Sequence, residues 1–253
     1  MQRLIKRFGK FLLLQVNRTL KIFDFELARV RRNYIAAGPT IKAAKLAGKS
    51  IGDYLEDIKA VKRPKFKGRI DRIIIQMKED RVFEHCENIC EIGAGTGMYL
   101  EKVKRETNCK RYEVYEIDKE WSQYLADEYG AEQKQCDGFS LKSTPDESIS
   151  LVHAHAVFVY IPFLNILDYL SESFRVVKDD GSIVFDVFTE NSFVYPHLEN
   201  WLKTENRFPV IIPEKILLDY IAQNNFYVSR KFSETYGGGI SEYFILKKNK
   251  TVV

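Results

Sequence analysis

The period of the hydrophobic positions changes along the chain. In residues 3–34 apolar side chains recur at three and four (Leu4, Phe8, Phe11, Leu12 and Val16), with Arg3, Lys6, Arg7 and Lys10 on other faces. That spacing predicts a helical arm, in one piece or two, ended by Gly38-Pro39. Short helices follow. One spans Ile41–Ala47 behind a Thr40 cap and stops at Gly48; another opens on a Ser50/Asp53 capping box and runs to Ile58. Lys62–Gly68 reads as a basic linker, and the next helix sets Ile70, Ile73, Ile74 and Met77 on one face. Such a helix serves as a lid over a site or as a packing layer on a sheet.

From residue 88 short apolar runs alternate with helical spacings, which predicts an α/β fold with a parallel sheet covered on both faces. Strands are expected at 88–92, at Tyr112–Asp118, at Ala131–Cys136, at Ser148–Ala154 and at Ser182–Phe188. The helices between them are Met98–Arg105, Glu120–Tyr129 and Phe163–Val177, the last halted by Asp179-Asp180-Gly181. Residues 189–212 break the alternation and read as irregular. Pro213 then starts a helix with Ile216, Leu217, Tyr220 and Ile221 inward, and Phe226–Phe232 with Ile240–Lys247 form a closing hairpin.

The junction of the first strand and its helix carries the chemistry. The run Glu91-Ile-Gly93-Ala94-Gly95-Thr-Gly97 places glycine at alternate positions. A backbone leaving a strand sharply needs residues without Cβ, and the loop amides with the helix N-terminus can receive a polar or anionic group. The dinucleotide fingerprint G-x-G-x-x-G would need glycine or alanine where Met98 stands. The observed acid-x-G-x-G-x-G resembles the first motif of the class I S-adenosylmethionine-dependent methyltransferases. The resemblance covers about residues 88–248. It implies a Rossmann-like, doubly wound, seven-stranded sheet with a C-terminal antiparallel hairpin, preceded by a helical N-terminal extension. The expected domains are a helical arm and lid over 1–80 and a cofactor-binding domain over 81–253.

Open α/β sheets bind ligands beyond the carboxyl ends of their strands. The first strand's loop offers Glu91, Gly93, Ala94, Gly95 and Gly97. The second strand's end offers Glu116, whose carboxylate can accept from two ribose hydroxyls, and beside it Ile117. Asp118 is expected to face the next helix's N-terminus. The resemblance implies that Asp137, with Gly138 or its neighbour, meets the adenine, and that His153 lies at the cofactor's edge. S-adenosyl-L-methionine is the implied cofactor. The groups nearest the acceptor are His155, His153 and Tyr160, with His155 the first choice for a base and Tyr160 beside it.

Charge adds one feature. The 253 residues carry a net charge of +4, yet residues 1–34 hold nine basic and two acidic side chains, so the rest is mildly acidic. A basic amphipathic arm can lie on an anionic membrane surface, pack on the catalytic domain, or pair with a second copy in a homodimer. Its apolar stripe is too rich for a simple nucleic-acid face. The four cysteines (Cys86, Cys90, Cys109 and Cys136) include no C-x-x-C pair and no metal-site spacing, so reduced thiols and a cytoplasmic setting are expected, with contact at the inner membrane face. No resident metal is implied.

After the fourth strand, His153–Tyr160 contains neither the (N/D/S)-P-P-(Y/F) run of base methyltransferases nor an acidic metal cluster. The following V-F-V-Y-I-P run loosely resembles methyltransferases of cell-surface glycan assembly. O-methylation of a small molecule, sugar or lipid-linked glycan is the leading expectation. The alternatives are an RNA or protein methyltransferase using the arm as a clamp, a cofactor-binding protein without catalysis, and, more distantly, an oxidoreductase.

Overall fold

The computed structural model describes Val16 and residues 35–62, 64–193, 195–203, 209–236 and 239–249. The expected helix of residues 3–34 lies outside these, Val16 excepted, and so do the roles considered for that arm. The chain divides into two compact units, Met1–Ala36 and Ala37–Val253, and the sheet with its covering helices lies in the second.

Three helices precede the sheet: α1 (Ala37–Leu46), α2 (Ile51–Lys62) and α3 (Arg69–Glu79). α1 starts at Ala37, ahead of the expected Thr40 cap and Ile41 start, so Gly38-Pro39 sits in its first turn, where a missing N–H costs nothing. Half of the expected capping box forms, with the Asp53 amide donating to Ser50 Oγ at 3.1 Å. The basic linker holds one 3-10 turn, Pro64–Phe66. In α3, Ile70, Ile73, Ile74 and Met77 are all buried. They press onto one face of the sheet beside Ile89, Val114, Leu151 and Val184.

The sheet has seven strands in the order β3-β2-β1-β4-β5-β7-β6. They are β1 (Asn88–Ile92), β2 (Arg111–Tyr115), β3 (Glu132–Gln133), β4 (Ile149–Ala154), β5 (Val177–Val187), β6 (Phe226–Tyr236) and β7 (Gly239–Lys248). β1 to β5 run parallel, and β7 pairs antiparallel with both β5 and β6, the expected hairpin. Between them lie α4 (Met98–Glu106), α5 (Lys119–Tyr129), α6 (Phe163–Val176), α7 (Tyr195–Lys203) and α8 (Glu214–Gln223). The two faces bury separate clusters. One includes Ile92, Val152, Phe185 and Phe244 against α6 and α8; the other lies under α3, α4 and α5. Among the described residues no helix is long and apolar enough to cross a membrane.

Several boundaries differ from expectation for local reasons. β2 ends at Tyr115, not Asp118, because Asp118 caps α5: its Oδ1 accepts from the amides of Glu120 at 3.0 Å and Trp121 at 3.1 Å. β3 shrinks to two exposed residues at the sheet's edge, where only β2 supports it. Asp179-Asp180-Gly181 does not separate α6 from the fifth strand. Val177 already pairs with Ile149, and the register then jumps to Leu151–Ser182, so the acidic residues bulge within β5. Residues 189–212, read as irregular, contain α7 and a 3-10 turn at Glu190–Ser192. In α8, Leu217 and Ile221 face inward while Ile216 is about half exposed. Among the described residues all four cysteines are free, Cys86 and Cys90 buried and the other two partly so.

Candidate active site

The glycine loop forms where β1 feeds α4. The Gly93 amide donates to Tyr115 O at 2.8 Å, and the Gly97 amide donates to Ala94 O at 2.9 Å, which closes a tight turn. Two glycines are required by contact as well as by φ. A Cβ on Gly93, at φ 66°, would lie 2.6 Å from Val157 Cγ2. A Cβ on Gly97, at φ 77°, would lie 2.6 Å from Leu125 Cδ2. Above Gly95 no such neighbour stands, and the loop presents bare backbone. Ala94 is buried and anchors the loop to the core under α4.

Glu116 sits beside this turn. Its Oε2 accepts from the Gly95 amide at 2.7 Å and its Oε1 from the Asp118 amide at 2.8 Å. Burial raises its pKa, and the backbone amides of Asp118 and Gly95 oppose that shift. Next to it Ile117 is 74% exposed, an apolar side chain held at the mouth. Glu116, Ile117 and Gly95 therefore come together. A backbone cradle beside a carboxylate and an exposed aliphatic surface suits a nucleoside with a polar tail.

Asp137 stands apart, in the loop after β3. Its Oδ1 accepts from the amides of Phe139 at 3.1 Å and Ser140 at 2.8 Å, and its Oδ2 from Ser140 Oγ at 2.6 Å. These bonds outweigh desolvation and hold its pKa below the ordinary value. Gly138 takes φ 89° in the same turn.

Glu91 and His153 lie deeper, on the sheet face under α3 and α4. Each is almost fully buried. They neighbour one another across β1 and β4 and meet through Tyr112, whose hydroxyl lies 2.7 Å from both Glu91 Oε2 and His153 Nε2. One hydroxyl hydrogen serves one acceptor. With Tyr112 donating to Glu91, His153 donates from Nε2 and is the neutral tautomer. Burial pushes the Glu91 carboxyl up to about 8, against the Tyr112 hydrogen bond. Burial pulls His153 down to about 3.

His155 is also inside, 5% exposed and stacked on Tyr99 at 3.8 Å between ring centroids. Desolvation, His153 and Arg69 hold its pKa well below the ordinary value. Among the described residues neither of its nitrogens has a hydrogen-bond partner. Tyr160 is half-buried, with its hydroxyl against that of Tyr236. Tyr236 belongs, with Phe188, Phe193 and Trp201, to an aromatic cluster beyond the carboxyl end of β5.

Sequence reasoning passed over one group. Arg69 of α3, Asp186 of β5 and Tyr243 of β7 are buried together against Tyr99. The available signal was Asp186 itself, a lone acid in the apolar run Ile183-Val-Phe-Asp-Val187. Among the described residues there is no cluster of three or more metal-ligating side chains.

The profile of a methyltransferase domain family matches residues 90–185, the stretch from β1 into β5. Known structures share the fold. A Galdieria sulphuraria protein described as a sarcosine dimethylglycine methyltransferase aligns at 10% identity and TM-score 0.57, covering 74% of this chain and 88% of its own. Magnesium protoporphyrin IX methyltransferase from Synechocystis PCC 6803, solved with bound S-adenosylhomocysteine, aligns at 13% and 0.55, covering 71% and 82%. A SAM-dependent methyltransferase from Methanosarcina mazei aligns at 18% and 0.53, covering 69% and 98%. No curated protein sequence matches.

Proposed function

We propose that this chain, an S-adenosylmethionine-dependent methyltransferase of the class I fold, transfers its methyl group to a hydroxyl of a small molecule, a sugar or a lipid-linked glycan. The observation that carries the cofactor half of this reading is the Glu116 carboxylate hydrogen-bonded to the Gly95 amide at the mouth of the glycine loop. In it, Glu116 takes the ribose hydroxyls, Gly93, Gly95 and Gly97 the methionine end, and Ile117 and Asp137 with Gly138 the base. Ala94 supports the loop, and Glu91 and His153, both neutral and joined through the Tyr112 hydroxyl, support it from beneath.

The acceptor half rests on Tyr160, Phe193 and Tyr236, which are partly buried around the buried Phe188 and Trp201 beyond β5. Aromatic faces with a few hydroxyls suit a compact ring better than an extended polymer. When bound, the cofactor supplies a methyl on a positively charged sulfur, ready for in-line displacement. Tyr160, beside Tyr236, orients the acceptor hydroxyl. His155 is a hydrogen-bond acceptor in its neutral form. Burial and Arg69 both oppose its imidazolium, so positioning carries most of the rate and the acceptor's hydroxyl proton leaves to solvent as the methyl is taken up.

The test is transfer of labelled methyl from S-adenosylmethionine to a panel of hydroxylated small molecules, sugars and lipid-linked glycans, with RNA and protein included. Label in a hydroxyl acceptor, with no rate inflection near the ordinary histidine value, is expected. Label confined to RNA or protein would overturn the acceptor class.

A further inference from the structure

Arg69 lies outside the glycine loop in sequence, yet it is bonded to Tyr99 just after the loop and faces Asp186, which holds the turn that covers Gly93. Its Nη1 donates to Tyr99 Oη at 2.6 Å, on the first turn of α4 directly after Gly97. Its Nη2 donates to Tyr243 Oη at 3.1 Å on β7 and faces Asp186 Oδ2 at 3.9 Å. The guanidinium also lies over the Tyr236 ring, 5.1 Å from its centroid. Asp186, wholly buried, uses its other oxygen to accept from the Ala156 amide at 2.6 Å. Ala156 is in the left-handed region at φ 61°, a conformation a non-glycine residue keeps only when its surroundings enforce it. The next residue, Val157, is the one that fills the space over Gly93.

We propose that Arg69 is a positioning residue for methyl transfer. Through Asp186 it fixes the Ala156-Val157 turn against Gly93, and through Tyr99 it fixes the start of α4, so both walls of the cofactor loop are set by one guanidinium from the helix before the sheet. A buried cation whose nearest anion is also buried holds that anion in place, because moving either strands a charge. The planar fork matters, since its separate nitrogens meet Tyr99 on one side and Tyr243 with Asp186 on the other, where a lysine offers a single nitrogen. This role rests on the proposed seating of the cofactor.

Two readouts test it in the full-length protein: hydrogen exchange at the Ala156 amide, and S-adenosylhomocysteine affinity by calorimetry. Arg69→Met and Asp186→Asn should each speed that exchange and weaken affinity about tenfold, with the double variant no worse than either alone. Arg69→Lys should fall between wild type and Arg69→Met. Ile73→Ala, a fully buried neighbour on the same helix, should lower thermal stability and leave both readouts unchanged. Wild-type exchange and affinity in Arg69→Met, or an equal effect from Ile73→Ala, would overturn the proposal. Should Asp186→Asn not fold, the Met and Lys variants at Arg69 decide it. If wild-type protein binds no S-adenosylhomocysteine, the donor reading fails, and exchange at Ala156 still reports on the brace.

Discussion

At the scale of single residues, the buried Glu91–Tyr112–His153 group makes stability depend on pH in opposite senses. The Glu91 carboxyl, pushed up to about 8 from an ordinary 4.5, stays protonated in the fold where the unfolded chain has already ionised. Between those values the folded state holds one more proton, so stability falls as pH rises, by up to about 1.4 kcal/mol per pH unit. His153 and His155 are neutral in the fold with lowered pKa values. The unfolded chain protonates them below about 6.5, so their contribution rises with pH until that point. Stability should therefore peak near pH 6.5 and decline toward pH 8 through Glu91. Glu91→Gln keeps an acceptor for Tyr112 and should abolish the decline. Chemical denaturation at pH 6.5 and 8 checks this, and equal slopes in the two proteins would show that Glu91 is ionised in the fold.

At the scale of elements, the strand–loop–helix unit is defined by what fits over it. Gly93→Ala puts a methyl 2.6 Å from Val157 Cγ2 at a φ of 66°. Overpacking and left-handed strain each cost about 1–3 kcal/mol. Pairing the change with Val157→Ala should recover the packing part and leave the strain. Thermal melts of the single and double variants separate the two; no recovery at all would mean that Val157 is not what fills the space. This unit was legible in the sequence because short-range chemistry specifies it: alternate glycines, an acid two positions before, and apolar spacing after. The β5 bulge was not. Asp179-Asp180-Gly181 has turn composition, and only the pairing of Val177 with Ile149 keeps it in the strand. The same holds for α7, whose Tyr195-Pro-His start resembles a loop until Trp201 packs on Phe188 and Phe193.

At the scale of the whole molecule, the sheet order carries the loop, Glu116 and the aromatic cluster to one edge from separate parts of the sequence. Strand-end positions can be counted, and that count sets Glu116 beside the glycine loop, while Asp137 stands apart in its own turn. Depth could not be counted. His153 and His155 flank Ala154, the last residue of β4, and both turn to the face under α3 and α4, where burial lowers their pKa values. Arg69 was hidden for the complementary reason. Its helix shows an apolar stripe, and nothing local says that a cation within that stripe meets an acid on β5 and a tyrosine on β7.

The proposed methyl transfer requires a methyl-donor nucleoside seated over Gly95 and gripped by Glu116. Calorimetric titration with S-adenosylhomocysteine, in wild type and Glu116→Ala, measures that directly. Saturable binding to wild type, weaker by about tenfold or more in the variant and unaffected by NAD, is the predicted result. Equal affinity in the two proteins, or binding of NAD in its place, would contradict it.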